Sequence, residues 1–103
     1  MNDKLLGLLG LCVRAGKAEF GAFKTEKAIE TGLCRLVILA NDIGQSNKRS
    51  IEYKCKRDNI PMIFYSDKET LSRAVGKKDV PIICVCDDNF SSAIIKIHGG
   101  VAK

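Results

Sequence analysis

Three lysines, Lys17, Lys24 and Lys27, stand around Gly21 and Phe23 in the stretch Arg14-Ala-Gly-Lys-Ala-Glu-Phe-Gly-Ala-Phe-Lys-Thr-Glu-Lys27, an arrangement suited to holding an anion. Gly21 permits a backbone turn or the close approach of a ligand. The helix expected to follow it offers unpaired N–H groups and the positive end of its dipole, a seat for phosphate. At about 100° per residue with Lys24 at zero, Thr25, Ile29 and Ala22 fall between about 100° and 160°, the core face. Lys27 and Phe23 fall near 300° and 260° and point mostly outward. Two readings of Phe23 stay open. It stacks on a base while the lysines take phosphates, or it tucks against a neighbouring loop and the lysines are solvated charge.

Other chemistry is poorly served. Gly16-Lys17 lacks the rest of a phosphate-binding loop, Ser91-Ser92 has no histidine at a useful spacing, and Asp87-Asp88 sits where a helix cap belongs. The five cysteines, at 12, 34, 55, 84 and 86, are odd in number and scattered, which suits reduced thiols in a cytosol better than a secreted disulfide framework. Cys84 and Cys86 share a strand face, but a zinc site needs further ligands and the one histidine, His98, reads as the exposed last turn of a helix. No metal, cofactor or small-molecule substrate is expected.

The 103 residues suit one domain over 1–103, large enough to bury a core unaided. With 46% hydrophobic and 28% charged residues the chain reads as globular, and its 17 Lys and Arg against 12 Asp and Glu, net +5, favour a polyanionic partner. Leu5 to Val13 is too short to span a bilayer, and Leu5, Leu8, Leu9 and Cys12 recur at helical spacing, so a first helix is expected and no membrane association.

These groups must be positioned by alternating helices and strands. Helix two runs from about Gly21 to Gly32, and Arg35 to Ala40 is a strand apolar enough to be buried on both faces. Asn41 to Gly44 is a turn, and helix three covers Ser46 to Arg57 with Ile51 and Cys55 inward. Met62 to Tyr65 is a strand, and Ser66-Asp-Lys-Glu69 is a capping box opening a helix that stops at Gly76. After the Lys77-Lys78-Asp79 loop come a strand at Ile82 to Cys86 and a last helix, capped by Asp87 or Asp88, with Phe90, Ala93, Ile94 and Ile97 as its core stripe. The alternation predicts an α/β fold, a three-layer α/β/α sandwich. Ligands of such sheets meet loops beyond the strand ends, here Asn41-Asp42 and Lys77-Lys78 beside the start of helix two.

The order and spacing of several elements resemble a known family, the small ribosomal-type proteins that bind kink-turn RNA, and within it the bacterial YlxQ branch. The resemblance spans nearly the whole chain. It rests on Gly21, Lys27, Gly32 before Leu36-Val-Ile-Leu-Ala40, Asp42, Asn59-Ile-Pro61 and Leu71-Ser-Arg-Ala-Val-Gly76, with Asp87-Asp-Asn-Phe90 similar to the YlxQ branch in particular. It implies a small mixed sheet of about four strands, no catalysis, and RNA held at the start of helix two. It also aligns Val80-Pro81-Ile82 with the apolar loop that packs an extruded base. One departure stands out: family members that read sheared G·A pairs carry Asn-Glu where this chain has Phe23-Lys24, and lysine offers no acceptor to guanine N–H groups.

The expectation is a cytosolic RNA-binding protein whose partner is structured RNA such as that of the ribosome. Lys17, Lys24 and Lys27 would neutralise phosphates, Gly21 and Ala22 would lie against the RNA, and Phe23 would stack. Arg73 either supports the site or forms a surface ion pair, and Asn41 and Asp42 either cap helix three or orient the lysines. The alternative is a protein-interaction adaptor that keeps the fold without kink-turn recognition.

Overall fold

The computed structural model describes residues 3–99. The first helix, α1 (Lys4–Arg14), is fixed at its start by Asp3, whose carboxylate accepts from the Leu6 N–H at 3.0 Å and from the Tyr65 hydroxyl at 2.6 Å. Its Leu5, Leu9 and Cys12 are buried. A short strand, β1 (Ala18–Phe20), leads directly into α2 (Gly21–Glu30), and then follow β2 (Leu36–Leu39), α3 (Gln45–Arg57), β3 (Met62–Phe64), α4 (Lys68–Val75), β4 (Ile82–Val85) and α5 (Asp88–His98). The sequence walk missed β1, because three residues with one outward glutamate carry no alternation long enough to recognise.

The four strands form one mixed sheet in the order β1-β4-β2-β3, with β4 antiparallel to both neighbours and β2 parallel to β3. Both faces are covered, as the uninterrupted burial of β2 and β4 requires. Leu36, Ile38, Ile83 and Val85 pack with Leu5, Leu9, Leu71 and Ile94 of α1, α4 and α5. Val37, Leu39, Ile82 and Cys84 pack on the other face with Ala28, Ile29, Ile51 and Cys55 of α2 and α3. The α/β/α sandwich is thus the observed architecture, with an unequal three and two helices per face. Close approach of α1 to α4 depends on Gly10, where a Cβ would lie 3.3 Å from the Ala74 carbonyl oxygen.

Three local expectations change. Asp67, not Ser66, caps α4, accepting from the Thr70 N–H at 2.7 Å, while Ser66 turns the chain with φ of 61°. Asp42 does not cap α3, which starts at Gly44 without a side-chain cap; its carboxylate instead accepts from the Lys68 N–H of α4 at 2.9 Å. Ile97 is 45% exposed and leaves the α5 core stripe, which Ile94 forms with the half-buried Phe90 and Ile95 in place of Ala93. His98 sits half-buried in the last turn of α5, its ring edge-on to Tyr65 at 6.2 Å.

All five cysteines are free thiols, and burial pushes Cys12 up to about 11 and Cys55 up to about 12. Among the described residues no cluster of His, Cys, Asp or Glu is arranged to hold a metal ion, and no helix is long and apolar enough to cross a membrane.

Candidate nucleic-acid interface

Strand register decides what meets at each end of the sheet. Phe20 lies opposite Ile83 and Leu39 opposite Ile82, and the Ala40 N–H donates to the Pro81 carbonyl at 2.9 Å. The start of α2, the Asn41-Asp42 turn and the 77–81 loop therefore share one end of the sheet, as the sequence predicted. Lys77 reaches across this end, its Nζ 5.4 Å from the Phe20 ring centroid. Gly21 holds a φ of +86°, and no atom lies within 4 Å of the place its Cβ would occupy. The glycine is therefore required by backbone conformation and leaves open space above it.

Like that of α3, the first turn of α2 has neither a side-chain cap nor an acidic residue, whereas α1, α4 and α5 are capped by Asp3, Asp67 and Asp87. Its leading N–H groups are thus free of carboxylate competition. Phe23 is 78% exposed, so it does not tuck against a loop. Lys24 and Lys27 are exposed beside it, one turn apart on the same face. Thr25, Ala28 and Ile29 form the buried face.

Lys17 stands at the other end of β1, where its carbonyl accepts from the Cys86 N–H at 2.8 Å. It nonetheless joins Phe23, Lys24 and Lys27 along one open groove of about 680 Å³ between α2 and the edge of β1. The groove continues past Ala28 to Leu33, 59% exposed, with Cys86 and Glu19 also lining it. Burial raises the Cys86 thiol pKa, and the Glu19 carboxylate adds to that rise. Among the described residues no ion pair engages Lys17, Lys24 or Lys27, while Arg35, Lys54, Arg57, Lys68 and Arg73 each pair with a carboxylate.

The remaining expected residues divide. Asn41 and Asp42 are exposed at the sheet end, with Asp42 engaged to α4 rather than to the lysines. Arg73 belongs to a surface ion pair with Glu69 at 2.7 Å and lines a shallow cleft with Lys77 and Lys78, away from the groove. Val80 and Ile82 are committed to the core at 6% and 1% exposure, so Pro81 alone of that trio retains a half-exposed surface. Glu19 and Leu33 were not singled out from sequence, and Cys86 was weighed only as a metal ligand. Leu33 carried a signal, since it is an apolar residue just past a helix-ending glycine and outside any periodic stripe.

Comparison with known proteins follows the same outline. The model of the ribosomal protein L7Ae/L30e/S12e/Gadd45 family matches residues 3–96. The chain is similar to the RNA-binding protein YlxQ of Bacillus subtilis (strain 168), 28% identical over 90 residues that cover 87% of this chain and 90% of the relative. A solved Bacillus halodurans C structure, of a protein with unknown function, superposes with a TM-score of 0.90 at 34% identity over 93% of this chain and 97% of that one. The Giardia lamblia 15.5kD RNA binding protein shares the fold at a TM-score of 0.78 and 21% identity, covering 96% of this chain and 88% of that one.

Proposed function

The chain belongs to the ribosomal protein L7Ae/L30e/S12e/Gadd45 family, and from that premise we propose that it is an RNA-binding protein of the bacterial cytoplasm, acting by binding rather than catalysis. The name of its Bacillus subtilis relative supports this reading. The observation that carries it is local: α2 begins uncapped on a positive-φ glycine, and unpaired lysines flank an exposed phenylalanine there. Backbone donors, helix dipole and cations point at one anion, and an aromatic face offers stacking.

The RNA is structured and kink-turn-like, held at α2 and the adjoining sheet end. Gly21 and Ala22 lie against the backbone, Lys17, Lys24 and Lys27 take phosphates, and Asn41, Asp42 and Pro81 border the contact. Lys24 cannot accept from guanine as a carboxylate would, so this contact rests on shape and phosphate geometry.

Titration of a kink-turn RNA over a salt series tests the reading. Binding is expected to weaken steeply with salt, and Lys27→Ala to reduce the log–log salt slope by about one phosphate contact. Binding that is insensitive to both salt and Lys27→Ala would favour a protein-interaction adaptor built on Phe23.

A further inference from the structure

The groove beyond Phe23 does not resemble a seat for phosphate along its whole length. Its far end lies by the carboxyl end of α2, where helix carbonyls carry partial negative charge and repel an anion. There the lining turns apolar through Ala28, Leu33 and Cys86, while Glu19 places a carboxylate on the β1 side. A volume of about 680 Å³ lies within the range of ordinary ligand clefts. The site therefore calls for a flat, neutral group that is apolar on its faces, bears N–H donors on one edge, and is linked to phosphates that reach the lysines.

An unpaired nucleobase has this chemistry. Guanine suits it best among the four, because its N1–H and N2 amino group are adjacent donors that a carboxylate accepts together. Adenine and cytosine offer a single amino group, and uracil one imino N–H. Duplex or tightly folded RNA has no free base to insert, so the ligand is a nucleotide that is single-stranded or splayed out.

We propose that the groove between α2 and β1 is a pocket for one unpaired guanine, stacked on Phe23 and Leu33, with its donor edge on Glu19 and its flanking phosphates on Lys17, Lys24 and Lys27. Glu19 thereby supplies, from β1, an acceptor that Lys24 cannot. The inference deepens the proposed RNA-binding function and rests on it, adding a base-reading pocket to the phosphate contact at the start of α2. A peptide seated on the same apolar floor is the competing occupant, and the free lysines around the rim favour the nucleotide.

The test uses the full chain and fluorescently labelled uridine strands carrying a single central guanosine, inosine or adenosine. The guanosine strand is expected to bind about tenfold tighter than the adenosine strand, the scale of one good bidentate base contact, with inosine between them because it lacks the N2 amino group. Glu19→Gln should shrink the guanosine preference several-fold, and Glu19→Asp, which keeps the charge, should retain part of it. Leu33→Ser should weaken all strands alike. Equal binding of guanosine and adenosine strands, a preference untouched by Glu19→Gln, or no strand binding at all would each overturn the pocket. Kink-turn RNA titrated against the unmodified chain and Lys27→Ala separates the two ideas: Lys27-dependent binding of that RNA leaves the proposed function standing when the pocket fails, and loss of both removes it too. The substitutions at Glu19, Lys27 and Leu33 all fall on exposed side chains, and circular dichroism checks that each variant folds.

Discussion

Helix α3 carries five cations to the two of α2, yet the two helices present their charge differently. On α3, Lys54 is tied to Glu26 at 2.9 Å and Arg57 to Asp58 at 3.0 Å, Lys48 lies over the Phe64 ring at 5.5 Å, and Arg49 and Lys56 join no ion pair among the described residues, so the difference lies in what surrounds the cations. Its exposed aromatic, Tyr53, is 67% accessible. On α2 the lysines are unpaired among the described residues, the aromatic borders a groove, and the helix begins at a sheet end where two loops converge. Count of charge is thus a poor guide to an anion site. A cation already satisfied by a carboxylate brings little net field to a phosphate, and cations that line a groove with an aromatic can act on one ligand together.

Charge reversal should separate the helices most widely. Lys24→Glu with Lys27→Glu is expected to lower affinity for kink-turn RNA by about a hundredfold or more at low salt, since two phosphate contacts are lost and two repulsions gained. Lys48→Glu with Arg49→Glu changes net charge by the same amount, and should cost about tenfold or less through the general field alone. Electrophoretic mobility shift or fluorescence anisotropy at one fixed salt reads the difference. Equal losses would mean that net charge, not the arrangement on α2, governs binding.

Much of this arrangement was legible before any coordinates. Period-3.6 patterning placed Thr25 and Ile29 inward and Phe23 and Lys27 outward, and the continuous apolar run of Leu36 to Ala40 signalled a strand buried on both faces. Strand β1 and the groove were not legible, for two different reasons. β1 is too short to alternate, and the groove brings together Glu19 and Cys86, joined by the antiparallel pairing of β1 with β4, and Leu33 from the loop after α2, residues far apart in sequence. The partner of Asp42 was hidden likewise, because a carboxylate at a loop can cap whichever helix the fold brings near.

The two helix starts differ in backbone need, which a matched pair of substitutions sharpens. Gly21→Ala places a Cβ on a residue with φ of +86° and is expected to cost about 1–2 kcal/mol of unfolding free energy. Gly44, the N-cap of α3, has φ of −64°, and Gly44→Ala should fall within about 0.5 kcal/mol of neutral as reduced unfolded-state entropy offsets the N-cap preference for glycine. Urea denaturation at constant m-value measures both. A mild Gly21→Ala would show that the left-handed turn before α2 is easily relaxed.

The seam between the helices offers a smaller effect. Glu26 accepts from the Ser50 hydroxyl at 3.3 Å as well as pairing with Lys54, and both ions are less than a third exposed. Glu26→Gln should lower stability by about 1 kcal/mol while leaving the RNA salt slope unchanged, because the freed Lys54 still points along the seam. A slope steeper by about one contact would mean that pairing, rather than shape, is what keeps α3 out of the interface.

The smallest effect concerns the faces turned away from solvent. Where α3 buries Ile51 and Cys55, α2 buries Thr25, whose hydroxyl oxygen is enclosed without a hydrogen-bond partner, the one such side-chain atom among the described residues. Burying a hydroxyl without a partner carries a desolvation penalty that nothing returns. Thr25→Val keeps the β-branched shape and the helical χ1 preference while removing the orphan group. It is expected to stabilise the protein by up to about 1 kcal/mol, seen as a rise of a few degrees in Tm. RNA affinity should stay the same, since this face is turned to the sheet and away from the lysines. A loss of stability instead would reveal that the hydroxyl bonds to a buried water or to the preceding turn, and that the inner face of α2 is as fully satisfied as that of α3.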